Sequence, residues 1–267
     1  MSISSTLVQR AEIRFHEAAD ALRAFVGCFW VVTAQRSATI RVVPDGTTAI
    51  SVQLQTSQPP EWFLRGPLVR PDERRFASPR MLIGVRLRPG VAFLLSGIPA
   101  HLLVGRRVQL NQIAAFDALV SQDCGPYTPE RCIDVLQRHL LQRLEQASLH
   151  SAVAAALREI EREHGCVRVA DVAARCGVSS RHLSRLMRVW VGYGPKCYAN
   201  IVRFQRTLHG MVDLHGHKAA AALASDNGYF DQAHLTLDVA RFAGATPGRL
   251  ASAAVTDFSK TRSDDLL

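Results

Sequence analysis

The 267-residue chain has no apolar run approaching the ~18 residues that cross a bilayer. Its first residues, MSISSTLVQRAEIRFHEAAD, are broken by charge before a hydrophobic signal core can form, so neither a membrane span nor export is expected. Paired cysteines are missing too. Cys28, Cys124, Cys132, Cys166, Cys176 and Cys197 stand far apart with no CxxC, which argues for small thiols in a reducing cytoplasm and against a disulfide framework. Residues 25–100 contain no histidine, so a metalloenzyme β-domain lacks its ligands. G-x-S-x-G, P-loop and G-x-G-x-x-G patterns are all absent, leaving hydrolase, nucleotide and dinucleotide chemistry without their anchors. The expectation is a chain that is not an enzyme, with no catalytic residue, no cofactor and no metal. His215-Gly-His217, with His209 nearby, lacks further ligands at metal spacing and is expected to be a solvated turn.

What is present suffices for a globular protein: 48% of the residues are apolar, and the length allows one large or two ordinary domains. The front of the chain reads as β-rich. A helix is expected over Ala11–Arg23, then a buried strand at FVGCFWVV (Phe25–Val32). Pro44-Asp45-Gly46 is turn chemistry, with strands on either side at Ile40–Val43 and Thr48–Leu54. Residues 56–80 are expected to be loops with one weak strand near Leu68. The mixed run Arg70, Asp72, Glu73, Arg74, Arg75 is taken as a solvated loop or the rim of an effector pocket. MLIGVRLRPG (Met81–Gly90) alternates as a half-buried strand. Helical patterns follow at Val91–Ser96, Val108–Val120 and Pro129–Ala147. His101, after Pro99, reads as a helix-start histidine. The stripe Ile133, Leu136, Leu140, Leu144 suits either packing on the β-domain or a dimer helix. His150–His164 is amphipathic, and Gly165 breaks it.

From Val169 the pattern changes. Val169, Val172, Ala173 and Cys176 make one face of a short helix, Gly177 ends it, and Ser179 caps a second. Leu183, Leu186, Met187 and Trp190 form the inner face of that second helix, leaving Arg181, His182, Ser184 and Arg185 outside. This is a helix-turn-helix pattern. It recurs in Ala221–Pro247, where Gly177 answers to Gly228 at a spacing of 51, and Leu183 to Leu235, Gly192 to Gly244 and Pro195 to Pro247 at 52. The second turn is therefore one residue longer, and Asp231 caps its outer helix, whose inner face is Leu235, Val239 and Phe242. Between the copies, Lys196–Met211 has no breaker and can form a ~24 Å helix, a rod able to hold two outer helices in major grooves ~34 Å apart. Charge follows the same division. Residues 165–212 hold eight Lys/Arg against one acid, and residues 213–258 three Lys/Arg against five Asp. A basic segment on a helix-turn-helix pattern is an electrostatic footprint for phosphate.

CGVSSRHLSRLM, VGYGPKCYANIVRFQR and GYFDQAHLTLDVARFAGATP resemble the DNA-binding domain of AraC/XylS-type bacterial transcription regulators over residues 150–255. FVGCFW, RVVPDG and GVRLRPG are more loosely similar to an N-terminal sensory or dimerisation module of one branch. The resemblance implies an α+β fold: a small β-rich, barrel-like domain with helices at 1–147, an all-α double helix-turn-helix domain with a linker helix at 148–256, and a flexible tail at 257–267. It implies a cytoplasmic, sequence-specific, effector-responsive regulator. Its partners would be double-stranded promoter DNA, a small-molecule effector, RNA polymerase and a second copy in a homodimer, with no membrane. The DNA-binding positions carried over are Arg181, His182, Ser184 and Arg185 in the first copy, Gln232, Ala233, His234, Thr236 in the second, and Lys196. Arg185 suits a guanine edge, Arg181 a base or phosphate, and Gln232 an adenine edge. Arg203 and Arg206 either brace the two units or touch phosphate, bracing being preferred for Arg206. Leu237 and Ala240 stand where the family carries basic residues, with Asp238 between them. This departure predicts that the first copy dominates DNA affinity. It also keeps open a regulatory partner that heterodimerises with another regulator instead of reading DNA.

Overall fold

The computed structural model describes residues 11–34, 38–55, 58–76, 80–122, 127–213 and 220–251. The expected tail and the His215–His217 turn lie outside them. Among these residues are eight strands: β1 (Ala11–His16), β2 (Val26–Ala34), β3 (Ala38–Val42), β4 (Thr48–Gln55), β5 (Gln58–Arg65), β6 (Asp72–Phe76), β7 (Arg80–Leu87) and β8 (Arg107–Gln109). Six of them make an antiparallel sheet in the order β1-β2-β7-β4-β5-β8, while β3 and β6 pair separately. Alternation along β2 divides it between two clusters. Phe29 and Val31 enter the main core with Ile50, Leu64, Ile83 and Leu87, and Cys28, Trp30 and Val32 meet Val42, Leu68 and Leu82 on the other face. Three helices, α1 (Val91–Ser96), α2 (Asp117–Val120) and α3 (Pro129–Leu144), contribute to the main core. Leu136, Leu140 and Leu144 of α3 are buried in it, so the apolar stripe faces its own β-domain.

Four expectations change. Residues 11–16 are a strand, because the open edge of β2 offers a ladder from Ala11↔Ala34 to His16↔Phe29; only Asp20–Leu22 turns, as a 3-10 helix. The weak strand near Leu68 is replaced by β5 and β6 on either side. The prolines of β5, Pro59 and Pro60, lie beyond the stretch Phe63–Arg65 that β8 pairs, where a missing N–H leaves no bond to β8 unmade. The mixed-charge run is largely β6, in which Glu73 lies opposite Arg41 and accepts from its Nε at 3.0 Å. Val108–Val120 breaks into the end of β8, two 3-10 turns and α2 rather than one helix.

The helical half comprises α4 (Ser151–Arg162), α5 (Val169–Arg175), α6 (Ser180–Trp190), α7 (Pro195–Asp213), α8 (Ala220–Asp226), α9 (Gln232–Ala243) and α10 (Pro247–Ala251). The 19 residues of α7 span about 28 Å, and its Phe204 stacks at 5.3 Å on Phe242 of α9. One core joins α4 through α10. Among the described residues no helix is long and apolar enough to cross a membrane.

The turn at Pro44-Asp45-Gly46 joins the halves. Gly46 takes φ +83, and a Cβ there would lie 2.7 Å from the Tyr198 ring. Gln205 Nε2 donates to the Pro44 carbonyl at 2.6 Å, and Arg86 pairs with Asp45 at 2.9 Å, both side chains nearly buried. Burial alone would raise the Asp45 carboxyl, but Arg86, Arg65 and the Thr47 hydrogen bonds outweigh it and hold it below the ordinary value. Tyr198 donates its hydroxyl to Glu161 beside Arg88, and burial pushes the Glu161 carboxyl up. Phe93 of α1 meets Trp190 of α6 edge-on at 4.8 Å.

Candidate nucleic-acid interface

Gly177, at φ +67, ends α5, and two residues later Ser179 accepts the His182 N–H at 3.2 Å to start α6. Leu183 and Met187 are fully buried while Arg181 and Arg185 are exposed, as the 3.6-residue period requires. Arg188 extends their stripe by three residues and is also exposed. His182 and Ser184 are half-buried along its side, and Arg185 Nη2 donates to His182 Nδ1 at 3.3 Å. The structure brings these residues together in one groove of about 720 Å³ lined by Ser179, Arg181, His182, Ser184, Arg185, Arg188, Val189 and His101. Arg188 was legible as the i+7 partner of Arg181. His101 comes from the other half of the chain and carried no sequence signal. Lys196 is exposed at the start of α7 and does not line this groove.

The second unit repeats the construction with other chemistry. Gly228, at φ +67, ends α8, and Asp231 accepts the His234 N–H at 2.7 Å to start α9. The additional residue of this turn is accommodated at Phe230, 93% exposed, whereas Tyr229 is buried. Gln232, Ala233 and Leu237 are exposed, Leu237 at 71%. His234 and Thr236 are half-buried and make hydrogen bonds within the unit. His234 Nδ1 accepts the Phe230 N–H at 3.5 Å, its ring meets Tyr229 at 5.2 Å, and the Thr236 hydroxyl donates to the Gln232 carbonyl at 2.8 Å. Asp238 is turned inward. Its Oδ2 lies 3.1 Å from Arg203 Nη2, and Arg203 also donates to the Gly228 carbonyl at 3.3 Å and stacks 4.4 Å from Tyr229. Arg203 is therefore the brace between α7 and α9. Arg206 is exposed, and among the described residues no acid pairs with it.

A family model described as a helix-turn-helix domain matches residues 172–253, and one described as a domain of unknown function matches residues 14–109. No curated protein sequence matches the chain. Among solved structures, a probable AraC family transcriptional regulator from Rhodopseudomonas palustris is similar at 23% identity, covering 39% of this chain and 96% of that one, with a TM-score of 0.36. ToxT from Vibrio cholerae is similar at 10% identity over 93% of this chain and 100% of that one, TM-score 0.45. ToxT bound to an unsaturated fatty acid gives 10%, 92% and 96%, TM-score 0.41. Likenesses this remote carry no inference about ligand or operator. Residues 172–253 nonetheless form a helix-turn-helix domain.

Proposed function

We propose that the protein is a sequence-specific, effector-responsive, cytoplasmic transcription regulator in which α6 reads the major groove and supplies most of the affinity. The observation that carries this is the exposed stripe Arg181, Arg185, Arg188 on a capped outer helix whose opposite face buries Leu183 and Met187 completely. Arg185 takes a guanine edge and Arg181 a base or phosphate. His182 and Ser184 support them from the side, and Lys196 contributes to backbone attraction. The exposed face of α9 offers an amide and methyl groups instead. Gln232 suits adenine N6 and N7, while Ala233 and Leu237 suit a thymine methyl, so this copy favours A·T pairs. His234 takes part by holding the turn at Phe230, and Thr236 by its bond within α9. Effector control would act through the β-domain, which is joined to the reading domain by a buried seam. Contacts with RNA polymerase and a second copy belong to the same reading.

The exposed Phe230 and Leu237 favour a second reading, a regulator that acts by binding another protein. Titrating the full-length protein against its own upstream promoter region at several salt concentrations separates the two. DNA reading requires retention that falls steeply with salt, in proportion to the phosphates neutralised. Retention equal to that of unrelated duplexes at every salt concentration would leave only the protein-partner reading.

A further inference from the structure

The exposed stripe of α6 faces a wall. Across the groove stands His101, exposed on the 3-10 turn Ala100–Leu102 of the β-domain half. This turn is rigid. The Leu102 and Leu103 N–H groups donate to Pro99 and Ala100 at 2.9 and 3.0 Å, and the Gly105 N–H donates to the Pro67 carbonyl at 2.9 Å. Ala100 and Leu103 are buried at 1% and 2%. Gly192, two residues past α6, takes φ +104, and a Cβ there would lie 2.7 Å from Pro67 Cγ and 3.2 Å from the Ala100 carbonyl. With Phe93 against Trp190 as well, helix and turn hold a fixed spacing before any ligand arrives.

The groove favours an anionic occupant. Three arginines, two histidines and two serines meet in the groove, and no carboxylate is among its described lining residues. A helix seated in the major groove runs between two sugar–phosphate strands, so a basic trough along its flank lies where one strand passes. We propose that His101 is a DNA-contact residue: the trough between α6 and the Ala100–Leu102 turn seats the bordering sugar–phosphate strand, and the His101 ring donates an N–H to one of its phosphates. An imidazole keeps one N–H donor even when neutral. The β-domain half thereby becomes part of the DNA surface, as an outer wall opposite the reading helix. This rests on the reading that α6 enters the major groove.

The test uses the full-length protein and a duplex that the wild-type protein selects from a random pool. His101→Ala should weaken binding about threefold to tenfold, the worth of one hydrogen bond, and by the same factor on variant half-sites, as a phosphate contact requires. His101→Glu should weaken it further. His101→Lys should restore affinity and steepen the log–log salt slope by about 0.9. Phosphate ethylation interference should lose one position with His101→Ala. Wild-type affinity in both the Ala and Glu variants overturns the proposal. So does tighter binding by His101→Ala, because the turn would then obstruct the helix. Arg185→Ala separates the two levels: if it also binds as wild type, the reading of α6 has failed; if it alone weakens binding, only the role of His101 has.

Discussion

Asp238 illustrates how a single residue misleads when read from sequence. It lies on a recognition helix and adds to the acidic balance of the second copy, yet its side chain points inward and neutralises Arg203, which is 7% exposed. The acid therefore braces α9 on α7 and does not repel phosphate. Asp238→Ala should lower the unfolding free energy by about 3–5 kcal/mol, since Arg203 is left buried without its carboxylate; chemical denaturation measures this. An unchanged midpoint would contradict the role. On the surface, Arg185→Ala should cost about 1–3 kcal/mol of operator affinity, with Gln232→Ala costing much less, and fluorescence anisotropy on one duplex compares them. Equal losses would remove the asymmetry between the copies. Residues whose role follows from helical period, such as Arg181, Leu183 and Met187, were legible in advance. Bracing by Arg203 was one of the two roles open to it in the sequence, but its partner Asp238 was not legible, being 35 positions away.

At the scale of elements, the two turns differ by one residue and the two reading faces by chemistry. The glycine spacing of 51 against 52 elsewhere announced the longer turn, and Phe230 at 93% exposure is its consequence. A face made of Gln232, Ala233 and Leu237 should distinguish thymine from uracil, which differ only by the methyl group. Replacing thymine by deoxyuracil in the half-site contacted by α9 should weaken binding about threefold to fourfold per contacted methyl, with a smaller effect in the Leu237→Ala variant. Equal binding of thymine and uracil duplexes by the wild-type protein would contradict the A·T reading. Helices ended by glycine and opened by Ser or Asp were well marked, because each boundary needs a specific residue. β1 and β6 were not, because a short edge strand is decided by the neighbour it pairs with, and that neighbour is distant in sequence.

On the scale of the whole molecule, the seam around Pro44-Asp45-Gly46 makes stability depend on pH through two carboxyls of opposite sense. Asp45 has a depressed folded value, so its stabilisation is present above its ordinary value of 3.8 and is lost as the pH falls through the depressed one. Glu161 has a raised folded value, so stability declines as the pH climbs from its ordinary 4.5 through the raised one. Glu161→Gln should therefore raise the Tm at pH 7, keeping an acceptor for Tyr198, and leave it unchanged near pH 4. A lower Tm at pH 7 would show that the ionised form stabilises the seam. The turn chemistry of this motif was readable from sequence, but its insertion between Tyr198 and Gln205 was not, since nothing local encodes a partner 161 positions away.

The central claim is that two unequal helix-turn-helix units, held by α7, engage successive major grooves on one face of a duplex. Hydroxyl-radical footprinting of the full-length protein on its own upstream promoter region tests it directly. The expected record is two protected tracts on one face, about 10.5 base pairs apart, of which the tract assigned to α6 disappears with Arg185→Ala. A single tract, or no protection above that on unrelated DNA, would contradict it.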